Sequence, residues 1–114
     1  ACAAALASLK VITGNGFLKK ASETGTYFSE CLQKLAQQHS IIKDVRSKGM
    51  ILAIELDKPG AQVVLDCMEK GFLINCIQQN ILRFLPPLNI SRKDINSLMP
   101  VLSESLLRLS KNKI

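Results

Sequence analysis

The spacing of the apolar residues changes near Ser40, and this change constrains the fold of the 114-residue chain more than any other feature. Before Ser40, apolar residues recur every three or four positions, which is typical of one face of an α-helix. After it, short apolar runs bounded by polar turns are typical of strands, and two further helical stretches lie between and after them. The pattern predicts an α+β fold in which helices pack on a sheet.

Two helices are predicted before the change. The first ends near Ile12, before a turn at 13–16, and its Ala-rich start favours close packing against a neighbour. The second runs from about Gly16 to Gln38. Its apolar stripe consists of Leu18, Ala21, Gly25, Phe28, Leu32 and Leu35. Because glycine destabilises a helix by up to about 1 kcal/mol relative to alanine, we expect Gly25 to permit a close helix or backbone contact.

Four strands are predicted after Ser40, at about 41–46, 50–56, 72–76 and 81–85, with a tight turn at 47–49. A helix of about 61–70 separates the second strand from the third, and we expect Val64, Leu65 and Met68 to face inward. Gly71 is placed to end this helix in the left-handed conformation. Pro86-Pro87 ends the fourth strand, because proline donates no hydrogen bond to a sheet.

The last predicted helix begins after Ser91, an N-cap residue that forms a capping box with Asp94. Its apolar stripe consists of Ile95, Leu98, Leu102, Leu106 and Leu109. Since the stripe continues in phase past Pro100, we expect a kink there rather than the end of the helix. The predicted architecture is a two-layer α/β sandwich. A long helical segment, 1–38, leads into an α/β core, 40–114, in which helices cover a small, mainly antiparallel sheet.

The net charge of +6 would suit a nucleic-acid-binding protein, but the distribution of charge does not. Lysines and arginines occur singly or in pairs, mostly on the polar faces of predicted helices, and no aromatic residues interleave with them. No apolar run approaches the roughly 20 residues of a membrane-spanning helix. We therefore expect neither a nucleic acid nor a membrane as a partner.

The cysteines are widely separated, and the single histidine, His39, has no cysteine or acidic partner at metal-ligand spacing. We therefore expect no metal site, and free, mostly buried thiols in a cytoplasmic protein. They are Cys2, Cys31, Cys67 and Cys76. The Ala-rich start has neither an initiator methionine nor an N-cap, so we expect the chain to be a piece of a longer protein.

No known catalytic motif is present in the sequence, and we expect Glu55 and Asp57 to be solvated. Arg83 stands out, because it is the only charged residue between Lys70 and Arg92. Strand alternation places its side chain on a face shared with apolar residues, where a guanidinium needs an anionic partner. Two interpretations remain open: a head group that reaches solvent or a carboxylate of the same domain, and one that binds an anionic ligand.

Four segments resemble, in the same order, those of class III, fold-type I aminotransferases: 1–11, 45–56, 69–75 and 80–88. The first resembles the Ala-rich helix after the family's cofactor-phosphate loop, and the second its V-R-G-x-G strand pair. The third resembles the E-K-G-L-L-I-N segment of the acetylornithine branch. The fourth, which contains Arg83, resembles a family segment in which Asn is followed by two apolar residues and an Arg, and which ends in Pro-Pro-Leu. Ser47 replaces the usual glycine, which puts the turn type in doubt, and Pro100 interrupts a helix that the family usually keeps continuous.

The resemblance implies that residues 1–114 are the C-terminal small domain of an aminotransferase. The implied reaction moves an amino group between N-acetylornithine and 2-oxoglutarate, in arginine biosynthesis. The implied cofactor, pyridoxal phosphate, is held by a large domain that also carries the Schiff-base lysine, so the 114 residues alone are expected to be inactive. The resemblance implies no catalytic residue in this chain and one substrate-binding residue, Arg83.

The partners implied by the resemblance are the large domain, a second subunit in a homodimer, and small amino-acid and 2-oxo-acid substrates. Two alternatives remain open. The amino donor could instead be ornithine, 4-aminobutyrate or another ω-amino acid. The chain could also be a free-standing module that binds an amino acid and regulates another protein.

Overall fold

The computed structural model describes residues 1–111, and residues 112–114 of the predicted core lie outside the described range. The elements, in chain order, are α1 Cys2–Thr13, α2 Phe17–Gln38, β1 Ile42–Lys48, β2 Ile51–Leu56, α3 Ala61–Glu69, β3 Asn75–Ile77, β4 Ile81–Phe84 and α4 Arg92–Lys111. The predicted α+β class and the order of helices and strands are confirmed.

The four strands form one antiparallel sheet in the order β1-β2-β4-β3. Its inner face consists of alternate residues of β2 and β4, which are buried against the helices: Leu52, Ile54, Leu56, Leu82 and Phe84. The apolar stripes of α2 and α4 supply the other half of the core, and the rings of Phe28 and Phe84 lie 5.6 Å apart between their centroids. The core therefore lies on one side of the sheet, and the alternate side chains form an outer face.

Gly25 of α2 allows the close contact that the sequence predicts. A Cβ atom at this position would lie 2.6 Å from the carbonyl oxygen of Gly49, in the turn between β1 and β2. Gly49 adopts φ +60°, a left-handed conformation that few other residues accept. The turn therefore lies at Gly49 and Met50, and β1 continues through Ser47 to Lys48 instead of ending before the predicted turn at 47–49.

Apolar side chains of the first two helices are exposed, and for Leu18 of α2 this differs from the predicted stripe. Helix α1 has no buried residue, and Leu6 and Leu9 are both 56% exposed. In α2, Leu18 is exposed, although the rest of the predicted stripe is buried. Within residues 1–111, the predicted close packing of α1 is therefore not found.

The predicted inward face of α3 is wrong by about one residue. Val63 and Cys67 are buried, whereas Leu65 and Met68 are exposed and Val64 is half-buried. The phase is set where the helix begins, because Gly60 is buried against the sheet: a Cβ atom there would lie 3.0 Å from Leu82 and 3.3 Å from Leu56. Positions 60, 63 and 67 follow helical spacing, so they share the face that contacts the sheet.

Strand β3 is shorter than predicted because the residues before it cap α3. Gly71 adopts φ +89°, which confirms the predicted left-handed end of the helix. The N–H of Phe72 then donates to the carbonyl oxygen of Cys67 at 2.8 Å, as in a Schellman motif. This leaves the third strand to begin at Asn75.

The start of α4 confirms the predicted capping box. The backbone N–H of Asp94 donates to Ser91 Oγ at 3.2 Å, and the N–H of Ser91 donates to Asp94 Oδ2 at 3.4 Å. The helix passes Pro100 and continues to Lys111, so the proline does not end it, as predicted. The expected kink stays a prediction.

Candidate functional site

A row of four side chains crosses the outer face of the sheet, one from each strand. Antiparallel pairing places Arg83 of β4 opposite Ala53 of β2 on one side and opposite Asn75 of β3 on the other. Ala53 in turn lies opposite Arg46 of β1. Because directly paired residues project from the same face, the order across the sheet is Arg46, Ala53, Arg83 and Asn75.

Arg83 is the residue of this row whose charge is unsatisfied. Its side chain is half-buried, and its Nε atom is buried without a hydrogen-bond partner among the described residues. Leaving such a donor unpaired costs about 1–3 kcal/mol, and more when the group is charged. The neighbour of Arg83 on the outer face of β4, Ile81, offers no acceptor in its side chain. The predicted apolar setting of Arg83 is therefore confirmed, and its predicted need for an anion is not met within residues 1–111.

Arg46 differs from Arg83 although both belong to the same row. Its NH2 atom lies 2.6 Å from Glu55 Oε1, and its NH1 atom lies 3.4 Å from Asp44 Oδ2. Glu55 is the residue of β2 that follows Ala53 on the outer face, so Arg46 finds its carboxylates within the β1–β2 hairpin. The guanidinium of Arg46 is therefore already paired, whereas that of Arg83 is available to bind an anion.

A shallow depression of about 300 Å³ lies between the two arginines. Its lining is largely apolar and includes Ile51, Ala53 and Ile81, and Ser47 and Lys48 line it together with the two arginines. Among its lining residues there is no histidine, cysteine or carboxylate. Arginines beside an apolar lining suit a carboxylate that carries a short apolar chain, and no carboxylate base lines the depression.

A family model described as Aminotransferase class-III matches residues 1–106 of the chain. The chain belongs to the class-III aminotransferases. Two acetylornithine aminotransferases are similar to it in sequence. That of Methanocaldococcus jannaschii is 41% identical over 97% of the chain and 28% of its own length. That of Caldanaerobacter subterraneus subsp. tengcongensis is 38% identical over 93% of the chain and 27% of its own length.

Solved structures place this class-III aminotransferase chain in the same fold. An aminotransferase of Bacillus anthracis superposes with a TM-score of 0.84 at 29% identity, over 94% of the chain and 28% of its own. Acetylornithine aminotransferase from Elizabethkingia anophelis superposes with a TM-score of 0.83 at 27% identity, over 94% and 29%. The chain thus spans less than a third of the length of these relatives.

Class-III aminotransferases use pyridoxal phosphate, but the described residues of this chain do not form a site for it. Such a site needs a lysine amine in an enclosed pocket to bind the aldehyde. Within residues 1–111 every lysine is exposed except Lys58. The Lys58 ammonium group donates to the carbonyl oxygen of Leu109 at 3.2 Å, at the end of α4.

The other residues considered in the sequence lie apart from the row. Asp57 lies 3.7 Å from Lys43 at the surface, and the buried His39 ring shares a hydrogen bond with Ser103. No group of three or more metal-binding side chains occurs in the described part of the class-III chain, and no helix there is long and apolar enough to span a membrane. All the cysteines are free, as predicted, but the expectation that they are mostly buried is wrong: Cys67 is buried, Cys31 and Cys76 are half-buried, and Cys2 is exposed.

Sequence reasoning missed a polar network between α3 and α4. Ser105, which is buried, donates to Asp66 Oδ2 at 2.6 Å, and Gln62 Nε2 donates to Asp66 Oδ1 at 3.0 Å. Burial raises the pKa of Asp66, but these hydrogen bonds and the charge of Arg108 lower it by more, so the net pKa is below its usual value. The spacing of four residues between Gln62 and Asp66 is a weak signal for this network.

A second missed contact joins α2 to α4. The Tyr27 hydroxyl donates to Asn96 Oδ1, and the guanidinium of Arg92 lies 4.8 Å from the centroid of the Tyr27 ring. The neighbouring Cys31 side chain raises the pKa of Tyr27. Both clusters hold helices together and lie away from the row of Arg83, so they belong to the fold rather than to the candidate site.

Proposed function

We propose that residues 1–114 act as the C-terminal small domain of a larger pyridoxal-phosphate-dependent aminotransferase, with a helical segment at 1–38 and a core at 40–114. The proposed reaction moves an amino group between N-acetylornithine and 2-oxoglutarate, in arginine biosynthesis. Support for this substrate pair comes from the similar enzymes of M. jannaschii and C. subterraneus, both named acetylornithine aminotransferase.

The role proposed for this chain is to bind a carboxylate through Arg83. The observation that carries this role is the buried, unpaired Nε of Arg83 on an otherwise apolar strand face. A guanidinium offers paired N–H groups in the geometry of a carboxylate, which the ammonium of lysine does not reproduce. Arg83 would engage a carboxylate of glutamate or 2-oxoglutarate, or an enzyme glutamate when the amino donor offers no carboxylate.

The remaining components of the proposed enzyme lie outside the described residues. The large domain of the same chain would hold pyridoxal phosphate, which when bound serves as the electron sink of the reaction. Two such chains would form a homodimer in the cytoplasm. Because no described lysine is enclosed, the 114 residues alone would bind substrate weakly and would not transfer an amino group.

The test is Arg83→Lys in the full-length protein, with each half-reaction followed separately by single-turnover absorbance of the cofactor. We expect one half-reaction to lose more than the other, by about 1.5–3 kcal/mol for a lost charged hydrogen bond. Arg108→Lys is the matched control, because Arg108 is exposed on α4 and pairs with Asp66 at 3.4 Å. Unchanged kinetics together with a large drop in melting temperature would make Arg83 a structural residue.

The amino donor is tested with the unaltered full-length protein. N-acetylornithine should be used with a higher kcat/KM than ornithine or 4-aminobutyrate. A preference for either of the latter would assign the chain to another donor within the same family. Absence of turnover with all three, together with amino-acid binding, would favour the regulatory module.

A further inference from the structure

Asn75 is the polar neighbour of Arg83 on the outer face of the sheet. The two residues are paired directly across β3 and β4. Side chains in such a pair have Cβ atoms about 4.5–5.5 Å apart, within reach of a common ligand. Asn75 is exposed, and its side-chain amide has no hydrogen-bond partner among the described residues. It is therefore available to bind whatever Arg83 binds.

On its other side, Arg83 is paired with Ala53 of β2, whose side chain has no polar atom. Ser47 and Lys48 of β1 also line the depression, but neither is paired directly with Arg83. The next residue in the row, Arg46, is held by Glu55 at 2.6 Å. Of the two residues paired directly with Arg83, Asn75 is therefore the one that offers a carboxylate a side-chain donor, its NH₂ group.

We propose that Asn75 is the second residue of the carboxylate site, and that its uncharged amide sets how strongly the site binds an anion. This rests on the proposed function of Arg83. The ligand class is the carboxylate of an amino acid or a 2-oxo acid. Its two oxygens would accept hydrogen bonds from the guanidinium, and one of them would also accept a hydrogen bond from the amide. An acidic residue at position 75 would occupy Arg83 itself, whereas a basic one would add a second positive charge.

The experiment compares Asn75→Asp and Asn75→Lys in the full-length holoenzyme. The measured quantities are the KM for 2-oxoglutarate, and the inhibition constant of glutarate, an unreactive dicarboxylate probe. We expect Asn75→Asp to raise both by about tenfold and Asn75→Lys to lower the inhibition constant several-fold, because the two changes alter the charge beside Arg83 in opposite directions. Both effects should shrink at high salt, as expected for partly exposed charges.

Asn89→Asp is the matched control, since Asn89 is exposed in the loop before α4 and undergoes the same chemical change. It should leave the glutarate inhibition constant unchanged. Shifts in the same direction for Asp and Lys at position 75, or no shift in either, would overturn the proposal. If Asn75→Asp does not fold, Asn75→Lys decides alone: tighter glutarate binding supports the proposal, and equal or weaker binding contradicts it.

The two proposals fail in different ways. If Arg83→Lys alters the half-reactions while the Asn75 variants bind glutarate like the parent, Arg83 keeps its role and Asn75 has none. If Arg83→Lys also leaves both half-reactions unchanged, the carboxylate site itself is wrong.

Discussion

Replacing Gly25 by alanine adds one methyl group at the place where α2 meets the β1–β2 turn. That Cβ would lie 2.6 Å from the Gly49 carbonyl oxygen, 3.1 Å from Met50 Sδ and 3.2 Å from the Gly49 carbonyl carbon. Ordinary contacts of a Cβ atom begin at about 3.4 Å, so the helix and the turn must separate. The nearest atom is backbone, in a turn fixed by the left-handed Gly49, and it cannot rotate away as a side chain could.

Two opposing terms determine the size of the effect. Alanine is the better helix former and stabilises an interior helical position by about 0.5–1 kcal/mol relative to glycine. Forcing a methyl group into a closely packed site costs about 1–3 kcal/mol. With rigid backbone on the opposing side, the second term is near its upper value. We therefore expect Gly25→Ala to lower the free energy of unfolding by about 1–2 kcal/mol.

Urea and thermal unfolding, followed by circular dichroism at 222 nm, measure this difference. The expected loss corresponds to a decrease in Tm of roughly 4–8 °C. Ser22→Ala is the matched control, because Ser22 is exposed on the same helix and also gains helix propensity. If Gly25→Ala unfolds at the same or a higher temperature than the parent, the contact with Gly49 does not limit packing and the reasoning is wrong.

Three further predictions follow from the ionisable groups and from the site. The hydrogen bonds from Ser105 and Gln62 and the charge of Arg108 together outweigh burial and keep the pKa of Asp66 low, so its stabilisation is complete above the usual carboxyl value of 3.8 and declines as the pH falls further. Below about pH 4, the free energy of unfolding measured in urea should therefore fall less steeply with pH in Asp66→Asn than in the parent. An equally steep fall in both proteins would contradict this. Burial raises the pKa of Cys67 to about 11, so iodoacetamide at pH 8 should modify Cys2 well before Cys67, as mass spectrometry of proteolytic peptides would show. The 114 residues mixed with pyridoxal phosphate should give no transaminase turnover, and a stoichiometric aldimine with turnover would refute the assignment of the cofactor to another domain.

The sequence correctly predicted the buried face of those helices in which the apolar residues can form only one stripe. The stripe of α2 from Ala21 to Leu35 is buried as predicted, and the cost of a helical glycine correctly indicated a close approach at Gly25. Helix α3 was different, because its first turns contain the adjacent residues Val63, Val64 and Leu65, and either side of such a run could face inward. Packing of Gly60 against β2 and β4 decided between them, and this packing depends on contacts distant in sequence.

The candidate site was predictable only in so far as it depends on local spacing along one strand. Alternation along β4 placed Arg83 on a face opposite to Leu82 and Phe84, and both of these residues are buried as that pattern requires. Its neighbours across the sheet depend on the strand order, in which β4 lies between β2 and β3. Local spacing carries no information on that order, so the pairing of Arg83 with Ala53 and Asn75 could not be derived from the sequence.

The contrast between the two arginines of the row is the strongest argument that Arg83 serves a ligand. Both belong to one antiparallel sheet, and carboxylates lie close to Arg46, at Asp44 and Glu55. Ala53 stands between the two arginines, where an acidic residue would pair directly with Arg83. Within the described residues the chain thus neutralises one guanidinium and leaves the other with an unpaired, buried Nε. A protein that needed Arg83 for stability alone would gain by placing a carboxylate at position 53. An alanine there leaves the guanidinium free to bind a carboxylate that comes from elsewhere.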